Sequence, residues 1–332
     1  MTGRTEFRGQ VAESREALHS LFGTGQAAAG AAALPELQPL PVTGPGFYDM
    51  TAAEYHADPC PEPSLSASLA AALVSSTPAH ARLKHPRLNP QMVDETAEHF
   101  DIGQVVHAAF LEGRDVVEVL DHPDWKTKAA REARDAARAA GKVPLLRKVW
   151  TDVERMLAAL RPQLEAHEDG AAMFTAGYAE PVLVWREGPL WFRARLDWLR
   201  VSPTSRRRFA IDDFKTTSTS ANPEQLSERT VWANGWDVKA SFYRRGLHVL
   251  TGLPAEFRFA VQECYEPFAL SVVAPTPGAE MLGDMKVHLA IERWHRGLID
   301  GRWDAYPKRT AYFEVPAWME KRWADREVRD GF

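Results

Sequence analysis

Residues 190 to 217 read LWFRARLDWLRVSPTSRRRFAIDDFKTT, and the way this stretch folds decides the architecture. As a strand with period two, Leu190 to Arg200 places Phe192, Ala194, Leu196 and Trp198 on one face. Trp191, Arg193, Arg195 and Asp197 then share the other, where either an anionic ligand or a solvated set of cross-strand ion pairs accounts for them. The next strand, Arg208 to Lys215, carries Phe209, Ile211, Asp213 and Lys215 on one side. Charged groups are rarely buried in a central strand unless they are paired or ligate a metal. The sixteen residues from Asp197 to Asp213 suit adjacent strands joined by the Arg-rich loop SPTSRRR. Both carboxylates are therefore expected to converge on one cation, with Lys215 alongside.

Working outward, Tyr178 to Arg186 reads as a strand joined to Leu190 by the turn Glu187-Gly188-Pro189. A helix is expected over about Val231 to Leu250, then strands over Phe257 to Cys264 and Ala269 to Ala274, then a helix over Ala279 to Ile299. Upstream the pattern is helical. Ser64 or Ser66 caps a helix through Ala67 to Ser75, and further helices cover Ile102 to Glu112, Thr127 to Ala140 and Val149 to His167. The first 46 residues, with the tract GTGQAAAGAAALPELQPLPVTGPG, read as a flexible segment. The predicted fold class is α+β, one domain over residues 47–332. It has a helical part (47–175), a sheet core (176–300) and a C-terminal tail (301–332) that reads as irregular.

Composition removes several classes of function. The 332 residues are 45% hydrophobic and 26% charged, which excludes collagen-like, coiled-coil and wholly disordered chains. No apolar run approaches the roughly 18 residues that span a bilayer, and the opening MTGRTEFRGQV lacks the apolar stretch expected of a secretory signal. Cys60 and Cys264 cannot make a disulfide framework or a four-ligand zinc or iron–sulfur site. The expectation is a cytoplasmic protein without membrane contact. A net charge of −5 does not argue for a polyanion partner, although enzymes on polyanions often confine positive charge to a cleft.

Two further groups are candidates for the same site. Glu180 opens the first strand of the sheet, where a solvated role is the plain alternative. His107 lies in QVVHAAFLEG, a helix apolar nearly all round; it is either a core histidine or a ligand above the sheet. The combination suits phosphodiester hydrolysis, which needs on the order of 20 kcal/mol of transition-state stabilisation. Hard oxygen ligands suit Mg²⁺ or, as a substitute, Mn²⁺, and a lysine orients water or steadies phosphate charge.

Taken with the blocks YDMTAAEYHADP, SLSASLAAALVSSTPAHARL, FDIGQVVHAAFLEG, EPVLVWREGPLWFRARLDWLR, IDDFKTT and VKASFYRRGL, in that order, the chain resembles the PD-(D/E)xK nuclease superfamily. Within its RecB-like branch it looks like the RecE (exodeoxyribonuclease VIII) group of phage recombination exonucleases. The resemblance implies a restriction-endonuclease-like core, a central mixed β-sheet flanked by helices. It casts Asp197, Asp213, Lys215 and Glu180 as catalytic, and His107, Asp197, Asp213 and the Phe214 backbone carbonyl as metal ligands. It implies Mg²⁺-dependent digestion of linear duplex DNA, 5′ to 3′. The remaining 3′ strand would serve homologous recombination through a RecT-type annealing partner, and the enzyme would form a homo-oligomeric ring. Arg193, Arg195, Arg206, Arg207 and Arg208 are expected on the DNA path, with Lys239 and Tyr243 on the helix after the motif. One position departs from the pattern: the family usually has Gln four residues before the Tyr, and here it is Lys239. Residues four apart share a helix face. Lys239 therefore contacts a DNA phosphate, perturbs metal binding by its charge, or is solvated. The alternative function is a nuclease-fold protein that binds DNA ends with weak or no cleavage.

Overall fold

The turn after Glu187 sets the frame of the molecule. Strand β6 (Val182–Glu187) turns at Gly188, φ +57°, into β7 (Leu190–Arg195), and the two pair antiparallel. A computed structural model describes residues 32–89, 91, 102–111, 117–205, 207–226 and 230–331. In it β6 and β7 lie at the centre of a four-stranded sheet, flanked by β1 (Gly46–Tyr48) and β2 (Ser64–Ser66).

Both strands of this hairpin then bend into a second sheet. The chain before β6 forms β5 (Gly177–Ala179), and the chain after β7 forms β8 (Trp198–Val201). These two pair with each other and belong to a five-stranded sheet of order β11-β10-β9-β8-β5. Its other members are β9 (Phe209–Thr217), β10 (Ala255–Glu263) and β11 (Leu270–Val273), with β9 and β10 parallel. At the bend, Glu180 N donates to Asp197 O at 3.0 Å and Leu196 N to Pro181 O at 3.1 Å, so hydrogen bonding continues across the break. Leu190 to Arg200 is thus two strands, and the bend shifts the alternation by one residue. Leu196 and Leu199 share one apolar cluster, while Trp198 enters another with Phe174 and Phe214. The expectation that Trp198 faces the same way as Phe192 is corrected accordingly.

Helices cover both faces of the second sheet. On one side lie α2 (Ala67–Ser75), α8 (Trp236–Thr251) and α9 (Pro277–Ile299), around Trp185, Phe192, Ile211, Phe242 and Trp294. Gly246 lets α8 approach closely, because a Cβ there would stand 2.6 to 2.8 Å from the Trp185 ring. On the other side, α4 (Ile102–Leu111) and α6 (Arg147–Ala166) supply Val106, Val153, Met156 and Leu160. Between them in the chain lie the small parallel pair β3 (Val117–Leu120) and β4 (Val143–Leu146) and helix α5 (Lys128–Ala139), which stops before Gly141, φ +72°. Three short helices, α1 (Ala52–His56), α3 (Pro78–Leu83) and α7 (Pro223–Leu226), fill the connections. Ser66 is the cap of α2, accepting from Leu69 N.

Two assignments at the ends of the chain change. Residues 1–31 lie outside the described residues, but 32–46 are packed rather than a free linker. Ala32 and Val42 are buried, Leu34 and Leu37 rest on the main core, and Gln38 N donates to Phe47 O at 2.8 Å. Scattered apolar groups thus dock on sheet surface that already exists. The tail is not wholly irregular either, since α10 (Ala317–Asp330) forms there, with every residue exposed. No helix among the described residues is long and apolar enough to cross a membrane.

Candidate active site

The bend between the sheets makes the site. β8 begins opposite Asp212, where Trp198 pairs with it, so beyond Asp212 the β8-side edge of β9 has no strand beside it. The Phe214 N–H on that open stretch needs an acceptor. Asp197, at the bend, supplies one: its Oδ2 accepts from Phe214 N at 2.8 Å. The same oxygen lies 3.0 Å from His107 Nε2, carried by α4. Asp197 is held by a fixed donor on one strand and a ring from above.

Asp213 points to the same place and is fully buried. Its Oδ1 contacts Lys215 Nζ, two residues along β9, and its Oδ2 contacts Lys239 Nζ on α8. Lys239 Nζ also lies 3.5 Å from Asp197 Oδ1. One ammonium therefore touches both carboxylates. Lys215 Nζ is also 3.4 Å from the Phe214 carbonyl oxygen.

The electrostatics follow from this packing. Burial alone would raise the Asp197 carboxyl, but the Lys239 and Lys215 ammoniums and the His107 ring hold it well below the usual carboxylate range. Burial likewise works against the charge of Lys239, yet Asp197 and Asp213 push its affinity for the proton well above that of an ordinary lysine. Lys215 moves the opposite way, lowered by burial and by the Lys239 charge despite its contact with Asp213. Of the two lysines, Lys215 is the one eased toward neutrality.

The remaining candidates divide. Glu180 adopts φ +52° at the bend, pairs with Arg195, and reaches Asp197 through its backbone rather than its carboxylate. Tyr243 is buried, with Lys239 Nζ 5.2 Å from its ring centroid and Phe257 beside it, so it is not an exposed DNA contact. Lys239 bears on the carboxylates rather than projecting to a phosphate. Arg193 is also corrected. Its side chain is 5% exposed, and its guanidinium is turned onto buried groups of the segment from Tyr55 to Ser64. Nε donates to Tyr55 O at 3.1 Å, Nη1 donates to Ser64 O at 2.8 Å and Ser64 Oγ at 2.6 Å, and Asp58 Oδ1 lies 3.1 Å away. Arg207 and Arg208 are exposed but precede β9, five residues and about 16 Å of extended chain from Asp213 to Arg208. They do not line the site. Arg206 lies outside the described residues.

Two buried ionic groups escape a reading by sequence. Arg200 forms a fork with Asp212, Nε to Oδ2 at 2.6 Å and Nη2 to Oδ1 at 3.0 Å, on the face of β9 opposite Asp213. Burial raises the Asp212 carboxyl in spite of this pairing. Asp58, at φ +62°, gathers Ser64, His85 and Arg193 beneath β2. The antiparallel register of β8 and β9 is the signal for the first; for the second nothing local marks the pairing.

These residues fit a hard divalent cation in kind. Two carboxylates bear on a single ammonium that stands in for a cation, and a backbone carbonyl adjoins them. A Mg²⁺ ion is usually held by one or two carboxylates and keeps several waters. Among the described residues no three His, Cys, Asp or Glu side chains form a metal-holding group.

Asp197, Asp213 and Lys215 thus lie together at a break in a mixed sheet flanked by helices. The chain belongs to the PD-(D/E)XK nuclease superfamily, whose family model matches residues 64–243, more than half of its length. The matched span runs from β2 to Tyr243 and so includes Asp197, Asp213, Lys215 and Lys239. Among solved structures the chain is similar to a "Putative exonuclease" from Eubacterium rectale, with TM-score 0.51 and 12% identity over 81% of this chain and 96% of that one. At that identity the likeness speaks for the fold alone. A second structure, SSO0001, reaches TM-score 0.32 at 10% identity over 73% of this chain and 80% of that one, too low to bear on the fold. No curated protein matches the chain.

Proposed function

We propose that this nuclease-fold protein is a Mg²⁺-dependent exodeoxyribonuclease on linear duplex DNA, with Mn²⁺ as a substitute. It digests 5′ to 3′ and leaves 3′ single strands for recombination. The observation that carries the reading is that Asp197 and Asp213, from two chain segments, bear on one cation with Lys215 in contact with Asp213. Asp197, Asp213 and the Phe214 carbonyl would hold the metal, while His107, expected as a further ligand, has its Nε2 turned to Asp197 Oδ2 at 3.0 Å. The bound ion would supply charge for the scissile phosphate and lower the pKa of a water.

The protein's own groups do the rest. The Phe214 N–H and the His107 ring fix the rotamer of Asp197, leaving Oδ1 facing the site. Lys215, tied to Asp213 and eased toward its neutral form, orients the attacking water or steadies charge on the phosphate. The helices and apolar clusters on both sides of β9 exclude bulk water, which strengthens each of these interactions. By the resemblance, a RecT-type annealing protein takes the product strand, and copies of the chain assemble in a ring around DNA.

The contacts of Lys239 with both carboxylates favour a second reading, a DNA-end-binding protein that cleaves weakly. Incubation with end-labelled linear and closed circular duplexes in Mg²⁺, Mn²⁺ and EDTA separates the two. Metal-dependent loss of the linear duplex alone is expected. Retention of linear DNA without degradation supports the second reading, and nicking of the circle points to an endonuclease.

A further inference from the structure

Every side-chain oxygen of the two aspartates already has a partner. Asp197 Oδ2 is taken by the Phe214 N–H and His107, and Asp213 Oδ1 by Lys215. Asp197 Oδ1 and Asp213 Oδ2, the two atoms best placed to bridge one ion, are both held by Lys239 Nζ. Two lysine side chains thus stand against the two carboxylates. A divalent ion entering the cluster must expel Lys239 or accept its repulsion.

Lys239 is the partner able to leave. Lys215 is anchored on the same strand as Asp213, two residues away, whereas Lys239 reaches in from α8, a separate element, along the Tyr243 ring. A glutamine at this position would reach the same oxygens with a neutral amide and leave their negative charge for the metal.

We propose that Lys239 is a resident cation that holds the carboxylate pair together without metal and competes with the divalent ion for it. This rests on the reading of Asp197 and Asp213 as metal ligands. The free enzyme consequently takes up metal weakly, and its metal-free fold does not suffer the repulsion of two facing carboxylates.

The test is Mn²⁺ binding to the full chain without DNA, by titration calorimetry, for wild type, K239Q, D213N and D213N/K239Q. K239Q is expected to bind at least tenfold more tightly than wild type, and D213N/K239Q to lose that binding. In EDTA, K239Q should melt below wild type, and Mn²⁺ should raise its melting temperature more than that of wild type. Equal affinity of K239Q and wild type, with binding lost in D213N, overturns the competition while leaving the metal site in place. Undiminished binding by D213N/K239Q overturns the assignment of the ligands themselves. K239Q melting at or above wild type in EDTA overturns the role of Lys239 as counter-cation.

Discussion

Arg193→Met separates a DNA contact from a structural one. The side chain is 5% exposed, makes three hydrogen bonds to Tyr55 and Ser64, and stands 3.1 Å from buried Asp58. Breaking a buried ion pair by removing one partner costs about 3–5 kcal/mol. Asp58 would keep His85 at 3.1 Å, Ser64 N at 2.9 Å and a half-exposed Arg87 at 3.7 Å. These remaining partners place the expected loss at the low end, about 3 kcal/mol. For a chain of this size that lowers the melting temperature by roughly 6 °C, at about 2 °C per kcal/mol. Thermal melting of Arg193→Met, Asp58→Asn and the double variant measures it, and the two losses should fall short of adding. The Asp58 part depends on pH. Burial works to raise its carboxyl, but His85, Arg193 and Ser64 hold it below the ordinary value. Its contribution is therefore complete above the unfolded carboxyl pKa of about 3.9 and fades as pH falls through the lower folded value. The gap between wild type and Asp58→Asn should be full at neutral pH and shrink below about pH 4. An Arg193→Met protein with unchanged melting and weakened DNA binding would refute this reasoning.

Asp197→Asn, Asp213→Asn and Lys215→Gln should each lower cleavage of linear duplex at least about a hundredfold while circular dichroism stays native, since one preorganised group contributes on that scale. Wild-type turnover in any of them removes that residue from the site. Gly246→Ala would normally favour a helix, but its methyl group would lie within 2.8 Å of the Trp185 ring, so a net loss of about 1–3 kcal/mol is expected in denaturant titration. Cys60 is buried and its thiol is pushed up to about 12 by that burial, so a thiol reagent should label the partly exposed Cys264 first and Cys60 only on unfolding.

The parts of the site legible in the sequence were those governed by a single period. Asp213 and Lys215 alternate with apolar residues on one strand, Lys239 and Tyr243 are four apart on one helix, and both pairs fall together in the structure. The bend at Leu196–Asp197 was hidden because nothing in Leu190 to Arg200 breaks a strand. Its sign lies on the neighbouring segment, where Pro181 lacks an N–H and Glu180 takes a positive φ. Arg193 shows the limit of alternation. Period two assigns it to a face but cannot say whether water or another segment covers that face, and here the chain from Tyr55 to Ser64 does. β1 and β2, at three residues each, are too short to show a period and exist because β6 and β7 offer them edges. The same holds for residues 32–46, which have no pattern of their own and pack on surface supplied from elsewhere.

Diffraction at the manganese absorption edge, from crystals soaked in Mn²⁺, tests the central claim most directly. An anomalous peak at coordination distance, about 2 Å, from an oxygen of Asp197 and from one of Asp213, with the Lys239 ammonium moved aside, is the predicted result. A peak at other residues, or none between these two carboxylates at saturating ion, would contradict it.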